Sequence, residues 1–193
     1  SMVDDYKSSL YRNNYREFVL KSLMDTVLNK KLISDFYESN KNNFKLREPL
    51  FKIRFISFPI DNVVRDEIIT RFRRFEPKDK IFLDSLTFQF SSYFLADSIW
   101  LNKYATLEKV SFLNNNNSIK YLKREKYYEV KDSLDLYLFE VIEKLEKNQV
   151  APFAYIENTI KNIVFNKKKI RFLKDFDDDI LKDAIKTKKF ETY

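Results

Sequence analysis

The chain has 193 residues and contains no glycine, no histidine and no cysteine. Each absence closes off a class of chemistry. Glycine-rich phosphate loops bring backbone against a phosphate, where a Cβ would collide, so neither a GxGxxG turn nor a P-loop is available. Without histidine or cysteine there is no zinc finger, no Ser-His-Asp triad, no thiol nucleophile and no disulfide framework. Any catalyst would have to be built from carboxylates, lysine and tyrosine, and no recognisable spacing of these residues marks one. A non-enzymatic chain is expected, with no cofactor, no metal and no small-molecule substrate. Long apolar runs are also scarce. The most apolar segment, 81–101, is interrupted by Asp84, Gln89 and Asp97. Charges near a bilayer centre cost a few kcal/mol each, so a buried helix or two is expected there rather than a membrane span.

What is present is basic and aromatic. Lys+Arg is 36 against Asp+Glu 29, a formal net charge of +7, with 19 Phe and 12 Tyr. Hydrophobic residues at 44% are enough for a core. Phe, Tyr, Lys and Asn are also the residues that an AT-rich genome encodes by default, and this accounts for part of the charge without any ligand. Ser1-Met2 resembles the pair left when a tag is cleaved off, so an excised piece of a longer chain is expected.

Along the chain, apolar residues from Leu10 to Val27 recur at three- and four-residue steps behind Asp4 and Asp5, which predicts one long helix over 4–29. A second helix, or a bent extension, follows over 30–40. Alternation in Phe51-Lys52-Ile53-Arg54-Phe55-Ile56-Ser57-Phe58 predicts a strand stopped by Pro59. Val64, Ile68, Phe72 and Phe75 then share a helix face. A hairpin with a basic tip is expected between Val110 and Val130. Asp132 or Ser133 is expected to cap a helix with Leu134, Leu138, Val141, Ile142 and Leu145 on one side. Pro152 opens a further helix, Lys169–Leu173 reads as a strand of a second hairpin, and Asp177-Asp178-Asp179 starts a final helix running to Lys188. The fold class expected is mainly α with short β-hairpins (α+β).

Three stretches alternate basic and aromatic residues: 71–75, 120–128 and 165–172. Basic side chains neutralise phosphates and aromatic rings stack on unpaired bases. The candidate nucleic-acid contacts are Lys120, Lys123, Arg124 and Lys126, together with Lys167, Lys168, Lys169 and Arg171. A packed core with a solvated basic face accounts for the same residues. Tyr155, Asn158, Asn162 and Phe165 are the candidate protein interface, since partly exposed aromatics anchor interfaces. Asp175, Asp177, Asp178 and Asp179 could hold Mg²⁺ through oxygen ligands, but capping a helix N-terminus explains them without a metal.

Leu107–Leu113, read as a helix-to-wing junction, leads to Tyr127-Tyr128-Glu129-Val130, read as a returning wing strand. Leu134-x-Leu136-x-Leu138-Phe139-x-x-Ile142 follows, and Val27–Tyr37 stands near the start. In this order and pattern the chain resembles the C-terminal tandem winged-helix region of the Stn subunit of the telomere-capping CST complex. The stretch 46–80 is longer than the family's pattern needs, and glycine before the wing is missing here. The resemblance implies two winged-helix-like modules, 1–131 with an insertion and 132–193. It also implies a nuclear, telomeric or replication role, docking of partner subunits, and single-stranded DNA as a secondary ligand. The alternative expectation is an all-helical interaction domain of an AT-rich microbe or virus, intracellular and with no nucleic-acid role.

Overall fold

The computed structural model describes residues 2–187. In chain order its elements are α1 (Met2–Leu23), α2 (Lys30–Asn40), β1 (Leu50–Pro59), α3 (Arg65–Arg74), α4 (Pro77–Ser85), β2 (Ser92–Phe94), β3 (Leu101–Asn102), α5 (Lys103–Lys109), α6 (Ser118–Tyr121), β4 (Lys126–Lys131), β5 (Asp135–Leu145) and α7 (Phe153–Lys186). The class is α+β, mainly helical with a small antiparallel sheet, and that sheet overturns the all-helical alternative. Two compact units divide the chain: Ser1–Asn40 with Ile156–Tyr193, and Lys41–Tyr155. The module boundary expected between 131 and 132 falls at the β4–β5 turn, inside the second unit.

The second unit is built on a sheet of order β2-β1-β5-β4, with β3 also paired to β1. Successive strand residues point to opposite faces, and here both faces are covered. Phe51, Ile53 and Phe55 of β1 and Phe139 and Val141 of β5 pack with Val110, Leu113 and Leu122. Ile56 and Phe58 of β1 and Leu136 and Leu138 of β5 pack with Ile68, Phe72, Phe75 and Leu83 of the α3–α4 region. Cross-strand neighbours such as Phe55 and Phe139, or Ile56 and Leu138, lock the register. Lacking glycine, the chain gives its left-handed positions to other residues: Phe75, which ends α3, and Glu125 both have φ 51°, and Asn148 has φ 71°. A left-handed non-glycine residue costs about 1–2 kcal/mol, offset at Phe75 by burial of its ring.

Arg54, on the α3–α4 face, donates to Glu140 on β5 through Nε at 2.9 Å and also through Nη2. Its guanidinium lies over the rings of Phe75 at 4.2 Å and Phe72 at 5.3 Å. Asp79, fully buried, receives Arg74 Nε at 2.7 Å and Nη2 at 2.6 Å, Arg71 Nη1 at 3.3 Å and the Glu76 amide at 3.0 Å. These donors, the Arg74 hydrogen bonds first, hold its carboxyl down at about 2.

Several sequence expectations give way. Residues 135–145 form the central strand β5, not a helix, so the helix of the family pattern at 134–142 is absent. The hairpin is β4–β5, not one within 110–130, where α6 occupies 118–121. Its turn is polar: Asp132 Oδ1 accepts the amides of Leu134 and Asp135, each at 2.8 Å. Lys169–Leu173 lies within the 34-residue α7, so no second hairpin exists there. The three aspartates at 177–179 are likewise interior to α7 and cap nothing; Lys188 lies outside the described residues. Segment 81–101 holds the end of α4, a 3-10 turn, β2 and the start of β3 rather than a buried helix or two.

The first unit is helical. Asn29 caps α2, its Oδ1 accepting the Lys31 amide at 2.8 Å. Helices α1 and α7 run antiparallel: Tyr15 meets the Phe176 ring at 6.2 Å and Arg16 bonds Asp177 at 2.8 Å, while Leu20 and Lys21, later in α1, stand with Phe165 and Lys169, earlier in α7. Val19, Met24, Ile33, Ile160 and Val164 are its buried apolar residues among those described.

Candidate functional site

The middle of α7 lies between two clefts of the helical unit. One, of about 610 Å³, has an apolar floor of Leu32 and Phe36 from α2 and Val164 from α7, with Lys167, Lys168 and Arg171 around it. The other, of about 330 Å³, is formed by Glu17, Leu20, Lys21, Met24 and Thr26 against Phe165 and Lys169. No proline or glycine interrupts 153–186. The helix therefore continues and carries residues 164–171 past both partners, since side chains three and four apart project from neighbouring positions on a helix.

The first cleft has three cations and no carboxylate among its lining residues. Two of the three are held. Lys168 Nζ donates to Asp25 Oδ2 at 2.9 Å and to the Val27 carbonyl at 3.1 Å, tying the α1–α2 connection to α7. The Lys168 hydrogen bond, helped by the Val27 amide, lowers the Asp25 carboxyl below its usual range. Lys167 Nζ sits 4.6 Å over the Phe36 ring, a cation–π contact worth about 0.5–1 kcal/mol at an exposed site. Arg171 has no ion-pair partner among the described residues. Chemically this is an amphipathic socket, with apolar surface in the middle and positive charge at its rim.

The structure brings together only part of what the sequence marked. Lys167, Lys168 and Arg171 surround one cleft, and Lys169 and Phe165 line the other. Asn158 and Asn162 are exposed on α7, while Tyr155, 40% exposed, falls within the bounds of the sheet unit. Burial raises the Tyr155 phenol, with Glu48 adding to the effect. The other basic cluster is not a wing. Lys120 is on α6, its Nζ 5.0 Å over the neighbouring Tyr121 ring. Lys123 and Arg124 lie in the turn after α6, Arg124 pairing with Glu125 at 3.0 Å, and Lys126 begins β4. Leu32 and Phe36 were not among the residues marked. Their i, i+4 spacing on α2 was the available signal, since it sets the pair beside each other on one helix face.

Among the described residues no group of three or more acids is placed to hold a metal ion, and no helix is long and apolar enough to cross a membrane. No family model matches the chain, and no curated protein matches it. Among solved structures, a chain from work on two SurA-like chaperones of Campylobacter jejuni is similar at 14% identity and a TM-score of 0.37. That match covers 100% of this chain and 73% of the other. A likeness of that size carries neither fold nor function across.

Proposed function

We propose that this chain is a non-enzymatic docking module for proteins, and that the basic-rimmed cleft between α2 and α7 receives an acidic amphipathic helix of a partner. One observation carries the reading: an apolar floor of Leu32, Phe36 and Val164 is ringed by three cations without a carboxylate. An acidic helix with one apolar face satisfies both features together, in the groove-binding mode common to helical recognition. Single-stranded DNA is the weaker ligand in this reading. Three cations line the cleft around an apolar floor, whereas a strand's phosphate backbone is tracked by a longer positively charged groove. Membership of a telomere-capping complex is a narrower form of the same proposal. It draws support from the 27–37 stretch, most of which lies on α2, and loses the support of 134–142, which is strand.

The test is a fluorescence anisotropy titration against two probes, a labelled acidic amphipathic helical peptide and a labelled oligothymidylate. Peptide binding that is weakened by Phe36→Ala and by Arg171→Glu is the expected result. Tighter binding of the oligothymidylate, abolished by Lys169→Glu and by Lys123→Glu, would replace docking with DNA binding. Indifference to both probes would remove the cleft as a site.

A further inference from the structure

The second half of α7 has the chemistry that this cleft calls for. Residues 167–174 contain Lys167, Lys168, Lys169, Arg171 and Lys174 and no acid. Residues 175–183 contain Asp175, Asp177, Asp178, Asp179 and Asp183, with Lys182 as the one base. Both halves also turn apolar side chains outward: Ile170 is 68% exposed, Leu181 48% and Ile185 66%. Positions 167, 170, 171, 174, 178, 181 and 185 recur at three- and four-residue steps and so form one stripe along the helix. Tyr15 of α1 meets α7 at Phe176, on the face opposite this stripe, and Arg16 meets Asp177 at the edge of the stripe.

A helix that is basic in one half, acidic in the other and apolar along one exposed stripe is complementary to itself in the antiparallel sense. A two-fold axis at residue 176 sets Lys174 of one copy opposite Asp178 of the other, and Leu181 opposite Arg171, next to Ile170. Each pair then occurs twice, as an isologous interface requires. Neither Lys174 nor Asp178 has an ion-pair partner among the described residues. We infer that the acidic helix received by the cleft is α7 of a second copy of this chain, docked antiparallel so that its 178–185 segment runs along 167–174, the stretch that includes the basic rim. The inference rests on the docking reading above and names the partner.

Sedimentation equilibrium of the whole chain, at low and at physiological salt, tests it. The expected result is a dimer that weakens with salt, because the contacts at its rim are ionic. Lys174→Asp places two acids opposite each other twice, and Asp178→Lys does the same with two bases. Each single variant is expected to weaken the dimer by about 10-fold or more, and the double variant K174D/D178K to restore it. Circular dichroism of each variant checks that the helices persist. A chain that stays monomeric up to about 1 mM, or a dimer indifferent to both single variants, overturns the inference. Should the chain be monomeric and still bind the acidic peptide, the second copy fails and the docking reading stands. Should both experiments fail, both fall.

Discussion

The sheet unit and the helical unit handle apolar surface in opposite ways. In the sheet unit Phe55, Phe58, Phe72 and Phe139 are entirely buried, and both faces of β1 and β5 are covered. Further rings extend that packing: Phe112 lies edge-on to Tyr121 at 5.1 Å and to Phe139 at 5.8 Å. In the helical unit α1 exposes Tyr6, Tyr11, Tyr15 and Phe18, and α7 exposes Ile170, Ile180, Leu181 and Ile185. Burial contributes about 25 cal/mol per Å² of apolar surface removed from water, so the sheet unit has satisfied its two central strands internally, although Val63, Ile81, Phe88 and Ile119 outside them stay exposed. The helical unit has left much of that free energy for whatever covers it. A contiguous exposed apolar surface on a soluble domain marks an interaction site, and for this reason function is sought on the helices and stability in the sheet.

Hydrogen exchange offers the widest test of this contrast. Amides of β1 and β5 are expected to exchange only through global unfolding, whereas those of α1 open locally. The separation in opening free energy should reach several kcal/mol, within the ~5–15 kcal/mol span of whole-domain stability. Equal protection of α1 and β5 would mean that the helical unit is as well cored as the sheet, and would break the comparison.

Next in size is Phe139→Ala. Phe139 is fully buried, with Tyr128 stacked at 6.2 Å and Phe112 at 5.8 Å. Truncating a buried Phe costs about 3–5 kcal/mol, the cavity included, which urea unfolding would register as a lower midpoint at unchanged slope. A loss below about 1 kcal/mol would show a sheet core that collapses readily around the gap.

The same contrast explains what could be read from the sequence. Strand β1, though also covered on both faces, was legible because Phe51, Ile53 and Phe55 alternate with Lys52 and Arg54, and Ser57 interrupts the run before Pro59. Strand β5 was not, because Leu136 and Leu138 serve one face while Phe139 and Val141 serve the other. A strand buried on both faces loses its alternation, and the surviving spacing of Leu134, Leu138, Val141 and Leu145 imitates a helix. The opposite error fell on α7, where Lys169-Ile170-Arg171-Phe172 alternates by chance inside an unbroken helix. At the site, the basic run and Phe165 could be picked out locally. Leu32 and Phe36 share one helix face by their i, i+4 spacing, but their pairing with α7 is a contact between distant parts of the chain that no local pattern encodes. The telomeric resemblance leaned most on 107–142, the region where local pattern and tertiary burial disagree.

A smaller effect is expected from acid. With its carboxyl held at about 2 in the folded chain against an ordinary value near 3.9, Asp79 binds fewer protons folded than unfolded between those limits. Its contribution is therefore complete above about pH 4 and is lost as pH falls toward 2. Asp79→Asn should flatten that part of the stability–pH curve by thermal unfolding, while an equally steep curve would assign the acid sensitivity to other carboxylates. Since Asp79 fastens the α3–α4 corner, this loss should register in the sheet unit and spare the amides of α1.

The smallest effect gives the sharpest local contrast, between two neighbours on α1. Val19 is 3% exposed and Phe18 is 65% exposed. Removing two buried methyl groups in Val19→Ala forfeits about 0.8 kcal/mol per carbon plus the residual cavity, about 1–2 kcal/mol in all. Phe18→Ala removes a much larger side chain, but one already in water, and surface changes of this kind stay within about 0.5 kcal/mol. Ring size thus predicts the reverse order of burial, and paired urea titrations decide between them. If Phe18→Ala proves the costlier change, that face of α1 is already covered in solution, and a search for docking partners should begin there instead of at the α2–α7 cleft.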